Sequence, residues 1–345
     1  GMGNANNGYR SKTFEKFCGS LEMFRQRVES RYQGTVYPQG TALAGKTFDA
    51  ANGGVSTYSA DVLVPAFLSA YTTGNGKGLD IFPSVMRMLP NWTIRYNGLS
   101  KLPWLRDHFN AVNINHSYRS IYAVGAYQSF STFASLAGDN TMGFITDATT
   151  GNLVPSSMFN VSTVSINESF SPLFGVDVTF LNNMTAKLEY RQTRALSLSM
   201  TSVQLNEAVS KDWVFGWGWR LDNFNLFGLG NSGRKTARGK AKNQRASQAS
   251  QSRSQTGTNH GLNLRLDLSY RKQAAITRNI ATVSSTASSG NTAFKLSFSA
   301  EYTLSKLMSM SFYLDRQTNT PLLASSSYPT TTQDFGLSIK FSLTR

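Results

Sequence analysis

A few short stretches carry residue types capable of chemistry. Gly228, Gly230 and Gly233 form a G-x-G-x-x-G pattern followed by Arg234, Lys235 and Thr236. Such a turn cradles phosphate when a helix follows it, so that backbone amides and the helix dipole face the anion. The continuation, ARGKAKNQRASQASQSRSQ, has no apolar period, so a flexible loop is expected and not a nucleotide site. His108, His116 and His260 lack ligand spacing, and His116 lies in an apolar row with Ile114 and Tyr118, as a strand histidine does. Cys18 is the single cysteine, which excludes an internal disulfide and a cysteine zinc cluster. No Ser/His/Asp set or carboxylate pair stands out. The expectation is a chain with no catalytic centre, no metal and no cofactor.

Charge is the next clue. The formal net charge is +15. Residues 231–260 hold Arg234, Lys235, Arg238, Lys240, Lys242, Arg245 and Arg253 without one acid, so about half of the imbalance is a single loop. Its Ser/Gln/Arg composition reads as a solvated disordered segment. A second reading gives Arg234, Lys235, Arg238, Lys240 and Lys242 a contact with anionic headgroups or an acidic partner. The loop lacks interleaved aromatics for base stacking, so no nucleic-acid partner is expected.

The other charged residues sit in strands, and Val164–Met200 organises them. Val164, Ile166, Phe170, Pro172, Phe174, Val176, Val178 and Phe180 alternate with polar or small residues. After Asn182 and Asn183 the pattern resumes with Met184, Ala186, Leu188, Tyr190, Leu196, Leu198 and Met200. Period two broken at Asn-Asn is a hairpin signal. A three-residue loop, Leu181 to Asn183, pairs Phe180 with Met184 and keeps both apolar rows on one face, with Asn183 left-handed. Each arm runs about eighteen residues, which at ~3.4 Å rise and ~40° tilt climbs roughly 45 Å, past the ~25 Å apolar band of an outer-membrane barrel.

This register predicts a polar row lining a lumen: Asp177, Thr179, Lys187, Glu189 and Arg191. Trp213, Phe215, Trp217 and Trp219 alternate with Gly216 and Gly218 and are expected to face lipid or a membrane-embedded partner. Glu168 is expected opposite Leu196, leaving Arg194 diagonal to it as a weak ion pair at the rim of the lipid band.

Residues 1–90 read differently. Phe14, Phe17, Leu21, Phe24 and Val28 recur at helical spacing. A short helix is expected in SADVLVPAFLSAYTTGNGKG, stopped by Gly74 and Gly76 and with Pro65 near its first turn, and another in DIFPSVMRMLP. Residues 91–345 hold nine candidate strands. Residues 128–160, 203–211, 272–292 and 317–334 read as loops at one end, and loop 223–261 and the Asn182–Asn183 and Thr303–Lys306 turns lie at the other. No run of eighteen apolar residues exists, so no membrane-spanning helix is expected, which leaves a barrel open. The start, GMGNANNGYR, has no signal-peptide pattern, as expected of a processed chain or a piece of a longer one. The fold class expected is all-β: a long-stranded antiparallel transmembrane barrel portion with a small helical N-terminal segment. A soluble or cell-surface β-rich binding protein is the alternative.

DVLVPAFLSAY, NWTIRYNGLSKLPW, ESFSPLFGVDVTFLNNMTAKLEYRQTRALSLS, QLNE and LNLRLDLSYR resemble the C-terminal region of the SprA/Sov family, over about residues 55–345. The ESFSP to YRQTR block is the most specific part. That family forms the outer-membrane translocon of the type 9 secretion system in Bacteroidota. The resemblance implies a very large single-chain barrel in the outer membrane of a Gram-negative bacterium, conducting folded cargo. It also implies partners: the remaining strands of the parent chain, secretion components at a lateral opening and at the periplasmic mouth, secreted cargo, and lipid. Loop 231–260 is longer and more basic than in the family, and no terminal aromatic follows Leu343.

Overall fold

The computed structural model describes residues 8–72, 90–136, 139–222, 224, 261–305, 307–323 and 328–342. Among these the chain is mostly antiparallel β-sheet. A nine-stranded sheet takes the order β1 (Trp92–Tyr96), β2 (Phe109–Ser129), β6 (Phe159–Phe180), β7 (Met184–Ser199), β8 (Gln204–Asp222), β9 (Gly261–Asn279), β10 (Ser284–Ser305), β11 (Met308–Pro321), β12 (Thr330–Phe341). The sheet does not close on itself. β3 (Ala134–Leu136), β4 (Asp139–Thr146) and β5 (Leu153–Ser157) form a separate small sheet. Residues 128–160 are therefore not a loop. Their Gly, Thr and Asn content hides hairpins that gain stability only by packing Phe144 and Leu153 into the core.

The central hairpin forms as expected at its turn. Thr179 pairs with Thr185, and Asn183 is left-handed at φ 59°. Higher up the register differs. Phe174 faces Tyr190, but Phe170 faces Gln192, because Ser171, Pro172 and Leu173 stand opposite Arg191 alone. Proline has no N–H for the ladder, so a bulge is where a strand tolerates it. Two extra residues preserve face parity but move Glu168 directly opposite Arg194, not Leu196. Gly175 is needed here, because a Cβ would stand 2.8 Å from Pro172 Cγ.

The strands also run further than the alternation suggested. Residues 204–211, 272–279 and 284–292 belong to β8, β9 and β10, and the connections shrink to 200–203 and 280–283. β11 and β12 likewise take residues 317–321 and 330–334 from the expected loop. Backbone pairing costs no alternation of side chains, so Lys211, Arg271 and Lys272 sit in regular strand.

Two helices lie against the far end of the sheet. α1 (Lys12–Ser30) starts at Ser11, whose Oγ accepts the Phe14 N–H, and buries Phe14, Phe17, Leu21, Phe24 and Val28. α2 (Ala60–Tyr71) is apolar on most sides, as suits a helix enclosed between α1 and the sheet. Pro65 stands in its interior and not in its first turn. α3 (Pro103–Arg106) is one turn in the β1–β2 connection. The helix expected near DIFPSVMRMLP falls on residues outside those described.

At the β9–β10 bulge, where Ser288 is the extra residue, Gly290 runs against the neighbouring backbone. A Cβ there would lie 2.6 Å from the Gln273 carbonyl oxygen. Gly290→Ala is expected to cost about 1–3 kcal/mol, read as a lowered midpoint of denaturant unfolding; an unchanged midpoint would show that the ladder yields at this point.

Candidate functional site

The sheet presents two chemically distinct faces. On the polar face, Asp177 and Thr179 of β6 pair across to Lys187 and Thr185 of β7, with Glu189 and Arg191 continuing the row. Lys187 Nζ lies 2.8 Å from Glu189 Oε1 and 3.9 Å from Asp177, which also accepts 2.8 Å from Asn115 Nδ2. Arg191 forms the other flank of Glu189. Further along the face, Arg265 pairs with Asp267 at 2.6 Å and Arg271 with Asp212 at 2.9 Å. A concavity of about 870 Å³ opens on this face between Asp177, Lys187, Gly216, Arg265 and Asp267. The expected polar row is therefore one row whose charges pair with one another.

Gly216 and Gly218 belong to this face. A Cβ on Gly218 would stand 2.9 Å from Thr185 Oγ1, and one on Gly216 would stand 3.3 Å from Asp267 Oδ1. The glycines make room for neighbouring polar side chains. Trp213, Phe215, Trp217 and Trp219 consequently point to the opposite face, beside Tyr190, Leu188, Ala186 and Met184. Tyr190 stacks on Trp213 at 4.5 Å.

The apolar face divides into two zones. Near the Asn182 turn it is uncovered: Phe174, Leu188, Trp213, Tyr270, Phe312, Phe335, Leu337 and Phe341 are all exposed, Trp213 at 48% and Phe335 at 70%. Along β9 this zone is Leu262, Leu264, Leu266, Leu268 and Tyr270. Nine residues at ~3.4 Å rise and ~40° tilt climb roughly 23 Å. It ends in aromatic residues: Trp92, Tyr118 and Phe170 in contact at 4.5 and 4.8 Å, then Tyr190, Trp213, Tyr270 and Phe294 on successive strands.

Above the aromatics comes a polar break: Glu168, Arg194, Gln192, Lys211, Lys272 and Thr292. The expected rim pair of Glu168 and Arg194 forms across the strands, with Arg194 Nε 2.8 Å from Glu168 Oε2. It is half-buried and not a free surface pair. Tyr118 donates to Glu168 at 3.2 Å, and the Arg194 guanidinium lies over the Tyr71 ring of α2 at 5.8 Å.

Beyond the break the apolar rows resume and are fully covered. Val164, Ile166, Leu196, Leu198, Leu205, Ile276 and Ile280 have essentially no exposure and lie beneath the helical cap. The described part of residues 1–90 thus covers the sheet's apolar face at one end. Two interactions seat it. Arg278, 0% exposed, binds Glu207 at 2.7 and 2.9 Å, donates to the Tyr9 carbonyl at 2.7 Å and to Ser285 at 2.8 Å, and lies over the Phe14 ring. Asp61, in the first turn of α2, accepts the Ser157 N–H at 2.9 Å. Burial holds the Asp61 carboxyl above its usual range, with the Ser157 bond acting against that shift. Cys18 is half-buried against the same core, and burial pushes its thiol up to about 11, as for an inert packing residue.

Glu207 and Arg278 were not singled out by sequence. The available signal was a charge inside each apolar row, Leu205-Glu207-Val209 and Ile276-Arg278-Ile280. Arg234, Lys235, Arg238, Lys240 and Lys242, with the glycine motif, lie outside the described residues. No group of His, Cys, Asp and Glu able to hold a metal occurs among the described residues. No protein-family model matches this chain, and no curated protein matches it.

Two outcomes follow from how the cap is seated. Arg278→Met leaves Glu207 buried without a partner and should cost about 3–5 kcal/mol, whereas Glu207→Leu with Arg278→Met should be far milder. Protection of α1 from amide exchange reads the difference; equal loss in both variants would show that the pair is not the anchor. For Asp61 the folded carboxyl holds its proton more tightly than the unfolded one. Its contribution is fully present below the ordinary value of about 3.9 and is lost as pH rises through the raised value. Asp61→Asn keeps the acceptor without the charge and should flatten that dependence of α2 protection; an unchanged profile would assign it to another group.

Proposed function

We propose that this chain forms part of the wall of an outer-membrane β-barrel that conducts folded proteins, as in the type 9 secretion translocon it resembles. The observation that carries the reading is the uncovered apolar zone, roughly 23 Å high at ~3.4 Å rise and ~40° tilt, which matches the ~25 Å lipid band of such barrels. It is bordered by aromatics, as membrane interfaces are, and backed by a polar, charge-paired face. A water-soluble sheet would leave that zone in contact with solvent, at a cost of ~25 cal/mol per Å².

The free edges of β1 and β12 must be satisfied inside a bilayer. On this reading the remaining strands of the parent chain supply them. The polar row of Asp177, Thr179, Lys187, Glu189 and Arg191 then lines the lumen. Its paired charges offer passing cargo little apolar surface. The Asn182 turn is periplasmic and the helical cap extracellular. Secretion components act at a lateral opening and at the periplasmic mouth. The conduit has no catalytic centre and no cofactor.

Deletion of residues 161–202 removes most of β6 and all of β7 from the sheet. The expected result is loss of outer-membrane assembly, with cargo retained in the periplasm. Normal secretion by a strain expressing the deleted protein, or release of the intact protein from membranes without detergent, would overturn the reading in favour of a soluble β-rich binding protein.

A further inference from the structure

Acids on the apolar face are already committed among the described residues of β6 to β12. Strand parity places only Glu168 and Glu207 there, and each is held by an arginine, Arg194 and Arg278. Asp212, the acid nearest in sequence, points to the polar face and binds Arg271. Lys211 and Lys272 nevertheless stand directly opposite one another on this face. Like charges in cross-strand register destabilise a sheet. Their lateral neighbours are Gln192 and Thr292, which bring no negative charge. Towards the Asn182 turn the next pair is Trp213 and Tyr270; away from it the next is Val209 and Ala274, both buried.

The lysine pair therefore occupies one level, with the exposed aromatic row on one side and the covered zone on the other. Residues two apart on a strand are separated by ~7 Å. An ammonium one pair beyond an interfacial Trp and Tyr lies at the depth of lipid headgroups. A phosphate there meets two cations at once. The aromatic rings below pack against the glycerol and upper acyl region of the same molecule.

We propose that Lys211 and Lys272 form a binding site for the phosphate of an anionic lipid, with Gln192 and Thr292 as flanking hydrogen-bond donors and Trp213 and Tyr270 as its floor. The site rests on the membrane-wall reading. It adds to that reading a fixed lipid at the border between the bilayer and the helical cap. Bound lipid cancels the repulsion between the two lysines and so favours the paired register of β8 and β9.

The test uses the full protein purified in a mild non-ionic detergent, with native mass spectrometry reading retained lipid. The probe is phosphatidylglycerol, with phosphatidylcholine as the zwitterionic comparison. Two surface cations contribute about fivefold each. Lys211→Gln with Lys272→Gln should therefore weaken phosphatidylglycerol retention about 25-fold, leave phosphatidylcholine unchanged, and be rescued by arginine at both positions. Equal phosphatidylglycerol retention by wild type and double variant, in a protein that still needs detergent, would overturn the site and leave the membrane wall standing. Displacement of the lipid by millimolar inorganic phosphate would also overturn it, because the site would then recognise a free anion. A protein that remains soluble without detergent would remove the membrane reading and the lipid site together.

Discussion

One constraint governs this structure: the apolar face of the nine-stranded sheet is longer than any single environment can cover. Strands of 16 to 22 residues, as in β7 and β6, carry an apolar row over most of their length, interrupted once by charged and polar residues. Each part of that row must leave water. At one end the cap does this, with α1 and α2 laid over Ile166, Leu196, Leu198 and Leu205. At the other end no part of the described chain covers Trp213, Phe335 or Phe341. The polar break of Glu168, Arg194, Lys211 and Lys272 separates the two regimes. A sheet with one apolar face is thereby divided into a protein-covered and a bare zone by a few side chains.

The covered zone explains why a fully buried arginine is present. α1 enters along the sheet with its N-terminus near β9, and Arg278 meets the Tyr9 carbonyl, Ser285, Glu207 and the Phe14 ring together. An apolar residue in its place would pack, but it would not define where the helix begins. The buried pair contributes little net stability once desolvation is counted; the Arg278 hydrogen bond to the Tyr9 carbonyl sets position. Asp61 does the same for α2 through Ser157 at the end of β5, tying the small sheet to the cap.

Sequence patterning reads local order well and pairing poorly. The five apolar residues of α1 and the left-handed Asn183 were legible because each depends on neighbours within one turn. Glu168 was misplaced by two residues because Pro172 continued the apolar alternation while its missing N–H broke the ladder. Strand ends near Lys211 and Lys272 looked like loops because charges interrupt the apolar row there, and the repeat carries no sign of the cross-strand neighbour. Glu207 and Arg278 are 71 residues apart, and a charge in an apolar row declares the need for a partner without identifying it. The polar row from Asp177 to Arg191 was legible because the hairpin is tight and its parity survives the bulge.

The distribution of charge over the two faces closes the account of the basic composition. On the polar face several acids and bases pair within contact distance, as Asp177, Lys187, Glu189 and Arg191 do, and as Arg265 does with Asp267. A wall so compensated has a weak far field, so it neither attracts nor repels a passing chain of either sign strongly. The uncompensated cations of the sheet's other face, Lys211, Lys272 and Arg316, stand where no acid of the same face is free. Much of the net charge of +15 therefore lies away from the paired polar face. The segment 231–260 supplies +7 of it, and Lys211, Lys272 and Arg316 on the apolar face supply a further +3. On the proposed reading one face meets protein cargo and the other anionic headgroups, and these need opposite treatments of charge; a β-sheet separates them by nothing more than the alternation of its side chains.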